Sequence, residues 1–207
     1  ISVQSLPLTF QHAITVTRGL GLRYLWIDSL CIYQDNISDW ATEASCIGQI
    51  YGNAACGIAA TAAEDGTAGL FYDRDPIMMT PVRVEITHSR HGNVYFQNTV
   101  SQGSYFLSPS TAVYGTIDFA PLNKRAWIAQ ECYLSPRIAH FTNQTLHWEC
   151  HETFANKLYP NGLPINLIQR KRDLYTAWCS FRRFYTGCQL TRQEDKLIAL
   201  SGIAEVI

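Results

Sequence analysis

The chain has 207 residues, 47% hydrophobic, 12% aromatic and only 16% charged, with a formal net charge of −1. That is enough apolar material for a substantial core, which excludes an intrinsically disordered chain, and the near-neutral balance excludes the basic footprint of a nucleic-acid or anionic-membrane binder. No apolar run approaches the roughly 18 residues of a membrane span, and the residues after Ile1 lack the pattern of a signal peptide.

The chain opens on Ile1 rather than Met, as a piece cut from something longer would. Residues 6–20, LPLTFQHAITVTRGL, predict a helix with Pro7 near its start and Gly19 and Gly21 at its end. Tyr24-Leu25-Trp26-Ile27 reads as a buried strand, ended by Asp28 and a loop through Asn36. A helix follows from about Asp39 to Tyr51, and Ala54–Ala60 reads as a second strand, parallel to the first. This order argues for an α/β core, in which ligands sit beyond the carboxyl ends of the strands. Residues 64–81 are rich in turn formers, and 82–87 with 94–97 form a candidate hairpin around Arg90-His91-Gly92-Asn93. Asn123–Leu134 predicts a helix, 138–141 and 145–150 paired strands, and 168–185 and 192–206 two closing helices.

Glu43 is the residue out of place. Trp40, Ala44, Ile47, Ile50, Tyr51 and Ala54 share one helical face. Glu43 falls roughly 30° from the centre of that stripe. A bare carboxylate is costly to bury, so Glu43 must be paired, protonated or facing a cleft. Pairing with Arg125 and an edge position facing water are the structural alternatives. Asp28, at the end of the first strand, either binds a hydroxyl or caps its own loop. Gln34 and Asp35 precede the helix, and Asn36, Ser38 and Asp39 are candidate caps. Arg125, Gln130 and Glu131 form a second polar cluster, suited to a phosphate or to a buried ion network.

Seven cysteines (31, 46, 56, 132, 150, 179 and 188) show no disulfide framework and sit among apolar neighbours, as reduced core residues do. They outweigh two glycosylation sequons at Asn36 and Asn143, and the expected compartment is the cytoplasm. His140, His147, Cys150 and His151 fit no metal-ligand ladder, so no metal site is expected.

Three blocks resemble one family. LPLTFQHAITVTRGLGLRYLWIDSLCIYQDNISDWATEASCIGQIYGNA resembles the front half of the fungal heterokaryon incompatibility domain. LNKRAWIAQECYLSPRIAHFTNQTLHWEC resembles its second block, and WCSFRRFYTGCQLTRQEDKLIALSGIA its third. The resemblance implies a single domain over 1–207: an α/β core portion (1–63), a variable insertion (64–121) and a second conserved portion (122–207). The family's usual opening strand, resembling L-S-Y-x-W-G, would lie ahead of residue 1. Tyr33 stands where the family more often has Asn, and Ile47 where it often has Met.

The family's front half is similar to Toll/interleukin-receptor (TIR) domains. This implies a TIR-like or flavodoxin-like parallel sheet core with a hairpin-containing insertion and C-terminal helices. In enzymatic members of that group a Trp-x-x-Glu helix carries the glutamate that cleaves NAD, and Trp40 and Glu43 match it here. The implied function is fungal self/non-self recognition and regulated cell death. Its implied mechanism is hydrolysis of NAD, as substrate rather than cofactor, with Glu43 catalytic and Asp28, Gln34, Trp40 and Arg125 binding. The alternative is a non-enzymatic adaptor that self-associates or binds partner signalling domains.

Overall fold

The computed structural model describes residues 1–76, 80–87, 103–107, 115–163, 178, 181–182, 184–190, 196–198, 200 and 203. Helix α1 spans Leu8–Gly19, entered from Pro7 at φ −52° and closed by a turn through Gly21 at φ +72°. Its buried Ala13 and half-buried Val16 pack against Leu70, Ile58, Ala139 and Phe141. A short helix α2, Asp28–Cys31, occupies the expected loop. Helix α3 runs Ile37–Gly52. The expected cap resolves to Asn36, whose Oδ1 accepts from the N–H groups of Ser38 and Asp39 at 3.0 and 3.1 Å. Asp39 in turn accepts from the Tyr33 N–H at 2.8 Å and ties the loop to the helix it precedes.

Strand β1 is Gly57–Ala59. Strands β2 (Val82–Ile86) and β3 (Gly103–Leu107) form a separate antiparallel pair. After the short α4 (Gly115–Asp118) come α5 (Ala126–Leu134), β4 (Arg137–Phe141), β5 (Leu146–Cys150) and β6 (Phe154–Asn156). The main sheet has the order β1-β4-β5-β6. β1 lies parallel to β4, while β4–β5 and β5–β6 are antiparallel. α5 packs on α3 on one side and, through Ala126 and Ala129, on Phe181, Tyr185 and Ile203 on the other.

The α/β class holds, with three corrections. The sheet is mixed: its parallel pairing is confined, among the described residues, to β1–β4. Tyr24–Ile27 is not a strand, although its backbone is extended into Ile27 at φ −133° and ψ 120°. A strand is defined by its ladder, and this run pairs with no described strand; its apolar side chains line a cavity instead. Finally, 82–86 pairs with 103–107, so the hairpin is longer than the sequence indicated. The candidate partner 94–97 lies outside the described residues, as do most of 168–185 and 192–206. Within those two ranges the described residues 178, 181–182, 184–185, 198, 200 and 203 are helical. β6 lies between the expected strand 145–150 and the helix from 168, where the sequence predicted no strand.

Asn36→Ala removes the only side-chain acceptor seen at the α3 N-terminus among the described residues. It is expected to destabilise the fold by about 1 kcal/mol, measured as a lower denaturant midpoint at unchanged slope. An unchanged midpoint would show that the cap contributes nothing.

Candidate active site

α3 and α5 meet along two contacts. Near the start of both helices, Trp40 stands edge-on to Trp127, with ring centroids 6.4 Å apart. Near their ends, the Tyr51 hydroxyl donates to Glu131 Oε2 at 2.8 Å. Tyr51 is itself held by Trp26, edge-on at 5.7 Å. The extended run 22–27 therefore rests on the same tyrosine that meets the α5 carboxylate.

Around this junction lies a cavity of about 580 Å³, within the range of small-molecule sites. Its apolar part is lined by Phe10, Ala13, Leu22, Leu25, Ile58 and Leu70, and its polar end by Asp28, Tyr51, Arg125 and Glu131. The polar end coincides with the carboxyl end of 22–27, where an α/β fold offers its ligand crevice.

Electrostatics distinguishes Glu131 from an ordinary carboxylate. Burial raises its pKa from 4.5 to about 7; the nearby Asp28 charge adds to the rise, while the Tyr51 hydrogen bond and Arg125 pull it down. Burial, and then the Glu131 charge beside it, hold the Tyr51 phenol well above its ordinary value. The phenol is thus a fixed donor, and Glu131 exchanges a proton near neutrality. An acid and a base of matched strength are available at one carboxyl group. Burial likewise raises the cavity-lining thiols of Cys56 and Cys132, so neither is an activated nucleophile.

The residues singled out from sequence divide into two groups. Asp28 and Arg125 line the cavity. Asp28 also accepts from the Ser29 N–H at 2.7 Å, so it stabilises its own turn while its charge reaches Glu131 and Tyr51. Arg125 is exposed and makes no ion pair among the described residues. Glu43, Gln34 and Trp40 stand outside the lining. Gln34 donates to the Ile32 carbonyl at 3.0 Å. Glu43 is half-buried, without a hydrogen bond or ion pair among the described residues, roughly 12 Å of helix rise before Tyr51. Of its two structural alternatives, the pairing with Arg125 does not form among the described residues.

His140 and His147 are cross-strand partners. His140 contacts Thr61 and Glu149 at 3.3 and 3.2 Å, and His147 contacts Thr116 at 3.0 Å. Burial, with the His140 charge next, lowers His147 to about 4. Among the described residues no cluster of three or more His, Cys, Asp or Glu is placed to hold a metal.

Residues 1–131 match the model of the heterokaryon incompatibility protein (HET) family. The chain belongs to that family. Every residue of the polar end falls within the match, from Asp28 to Glu131, its last position. This is therefore a heterokaryon incompatibility domain of the fungal type, in which β4, β5 and β6 lie beyond the matched span. No curated protein and no solved structure matches the chain. Within this HET domain, Tyr51 is a functional candidate that the sequence did not single out, and Glu131, grouped by sequence with Arg125 and Gln130, is the acid at the cavity. Tyr51 reads as one more member of an apolar stripe. Glu131, an acid within AWIAQECYL, carries the same signal as Glu43 and could have been weighted equally.

A raised carboxyl has a stability consequence of definite sign. Because the folded state of this HET domain holds the Glu131 proton more tightly than the unfolded chain, the stabilisation is full below about pH 4.5. It is lost as pH rises through about 7. Glu131→Gln removes that loss. Between about pH 5 and about pH 8 the wild type should therefore fall further in melting temperature than the variant. Parallel profiles would show that the Glu131 carboxyl titrates in its ordinary range.

Proposed function

We propose that this domain exerts its incompatibility function by hydrolysing NAD to nicotinamide and ADP-ribose at the polar end of the cavity. The observation that carries the reading is the convergence there of Glu131, titrating near neutrality, with Tyr51, Asp28 and Arg125. Heterolysis of the ribose C1′–N bond leaves the electron pair on the nicotinamide ring nitrogen, which departs neutral. The oxocarbenium ion left at C1′ is stabilised by a nearby carboxylate. Water then forms the new C1′–O bond, and its proton passes to ionised Glu131, oriented by the Tyr51 hydroxyl. Arg125 offers a guanidinium to the pyrophosphate. The six described cysteines are free thiols, in keeping with a reducing compartment such as the cytoplasm.

Two acids compete for the carboxylate role. The resemblance to TIR enzymes points to Glu43, with Trp40 one turn earlier beside the substrate. The cavity geometry favours Glu131. Nicotinamide release by folded wild type, Glu131→Gln and Glu43→Ala, at a concentration that permits assembly, decides between them. Glu131→Gln should lower turnover by roughly 100-fold or more, with Glu43→Ala near wild type. The opposite pattern would move the chemistry to Glu43. Absence of turnover in folded wild type would sink the enzyme reading altogether.

A second reading has an observation of its own. Tyr24, Tyr33 and Ile37, between the run 22–27 and the first residue of α3, are 83%, 76% and 83% exposed. Such apolar exposure suits a self-associating adaptor. It predicts concentration-dependent oligomers, lost on Ile37→Asp, in a protein that releases no nicotinamide.

A further inference from the structure

A second hollow lies apart from the cavity, and no described residue lines both. Its volume of about 380 Å³ falls in the lower part of the range of small-molecule sites. Its described walls are Tyr72, Arg74, Pro76, Thr80 and Lys157. Two of these residues are cations and none is an acid. Neither Arg74 nor Lys157 makes an ion pair among the described residues. Like charges gathered in one concavity repel each other, and the arrangement becomes favourable once an anion lies between them.

The two cations are brought there by different means. Arg74 donates through Nε and Nη2 to the Thr142 carbonyl, at 3.4 and 3.0 Å. Thr142 is fully buried just past the end of β4, so the guanidinium is anchored to the sheet. That contact uses one edge of the guanidinium and leaves the Nη1 side free to donate. Lys157 follows β6 directly, in a turn where Asn156 Oδ1 accepts from the Leu158 and Tyr159 N–H groups at 3.0 and 2.9 Å. The Tyr72 hydroxyl makes only a long bond, 3.4 Å, to the Gly69 carbonyl. Burial holds that phenol above its ordinary value against the pull of Arg74, so it stays a donor.

We propose that this hollow binds the phosphate group of a small phosphomonoester. The free edge of Arg74 and the Lys157 ammonium take two non-bridging oxygens, and the Tyr72 hydroxyl donates to the third. A phosphate dianion matches both cations in charge, whereas a carboxylate would leave one of them unmatched. The hollow is also larger than a bare phosphate needs. Pro76 and the Tyr72 ring give the esterified group an apolar surface to rest on. The proposal goes beyond NAD hydrolysis and does not depend on it.

The test titrates the wild-type chain with phenyl phosphate, phenol and inorganic phosphate at low salt, without NAD, following backbone amides by NMR. Phenyl phosphate should shift the amides of Tyr72, Arg74 and Lys157 with a Kd of about 1 mM or tighter, weakening as salt is raised. Phenol should leave those amides unmoved, and inorganic phosphate should shift them with lower affinity. Lys157→Gln, at an exposed position, should weaken phenyl phosphate about tenfold. Arg74→Lys, which keeps the charge but loses the fork, should weaken it as well. No shift of these amides at up to about 10 mM, or an affinity unchanged by Lys157→Gln, would overturn the proposal. So would shifts confined to the amides of Asp28 and Arg125, since the phosphate would then sit in the cavity. Inorganic phosphate binding as tightly as the ester would overturn the assignment to a phosphomonoester.

Discussion

The hydrogen bond from Tyr51 to Glu131 is the constraint on which the rest of the site depends. It is the only side-chain hydrogen bond between α3 and α5 among the described residues, and it lies where their apolar packing gives way to the cavity. A carboxylate withdrawn from water costs several kcal/mol unless it is paired or carries its proton. Here it is half-compensated: one phenolic donor and a distant guanidinium lower the cost, while burial and Asp28 raise it. The balance leaves Glu131 ready to gain or lose a proton near neutrality. Tyr51 also meets Trp26 edge-on, so the run 22–27 rests on the same junction.

That arrangement connects fold to chemistry. α/β architecture brings the ends of successive segments to one side, and Asp28 reaches the cavity because α2 begins directly where 22–27 ends. Arg125 arrives from the N-cap position just ahead of α5. Family membership supplies the biological class, heterokaryon incompatibility, over the span that contains all of these residues. The hydrolytic chemistry proposed for the site takes its substrate from the resemblance to TIR enzymes and its residues from the acid, its donor and the cation at the cavity.

Local signals were legible wherever a local cause dominated. Pro7 and Gly21 bracket α1 because one presets φ and the other tolerates a positive φ. Asn36 starts α3 because its side chain replaces missing backbone acceptors. β1, β4 and β5 followed from apolar runs. Tyr24–Ile27 failed for a non-local reason: its sequence favours extension, but a strand also needs a neighbour. The partner of β2 was equally invisible, since register across a long connection is set by tertiary packing. Glu43 and Glu131 show the same limit at the site. Helical phase puts both acids near apolar faces, but only the contact between α3 and α5 shows which one is enclosed at the cavity.

A carbon-13 NMR titration of the Glu131 side-chain carboxyl tests this account most directly. The account predicts a midpoint near 7, moving further up in Tyr51→Phe as the donor that favours the charged form is removed. A midpoint near the ordinary 4.5, unmoved by that substitution, would contradict it.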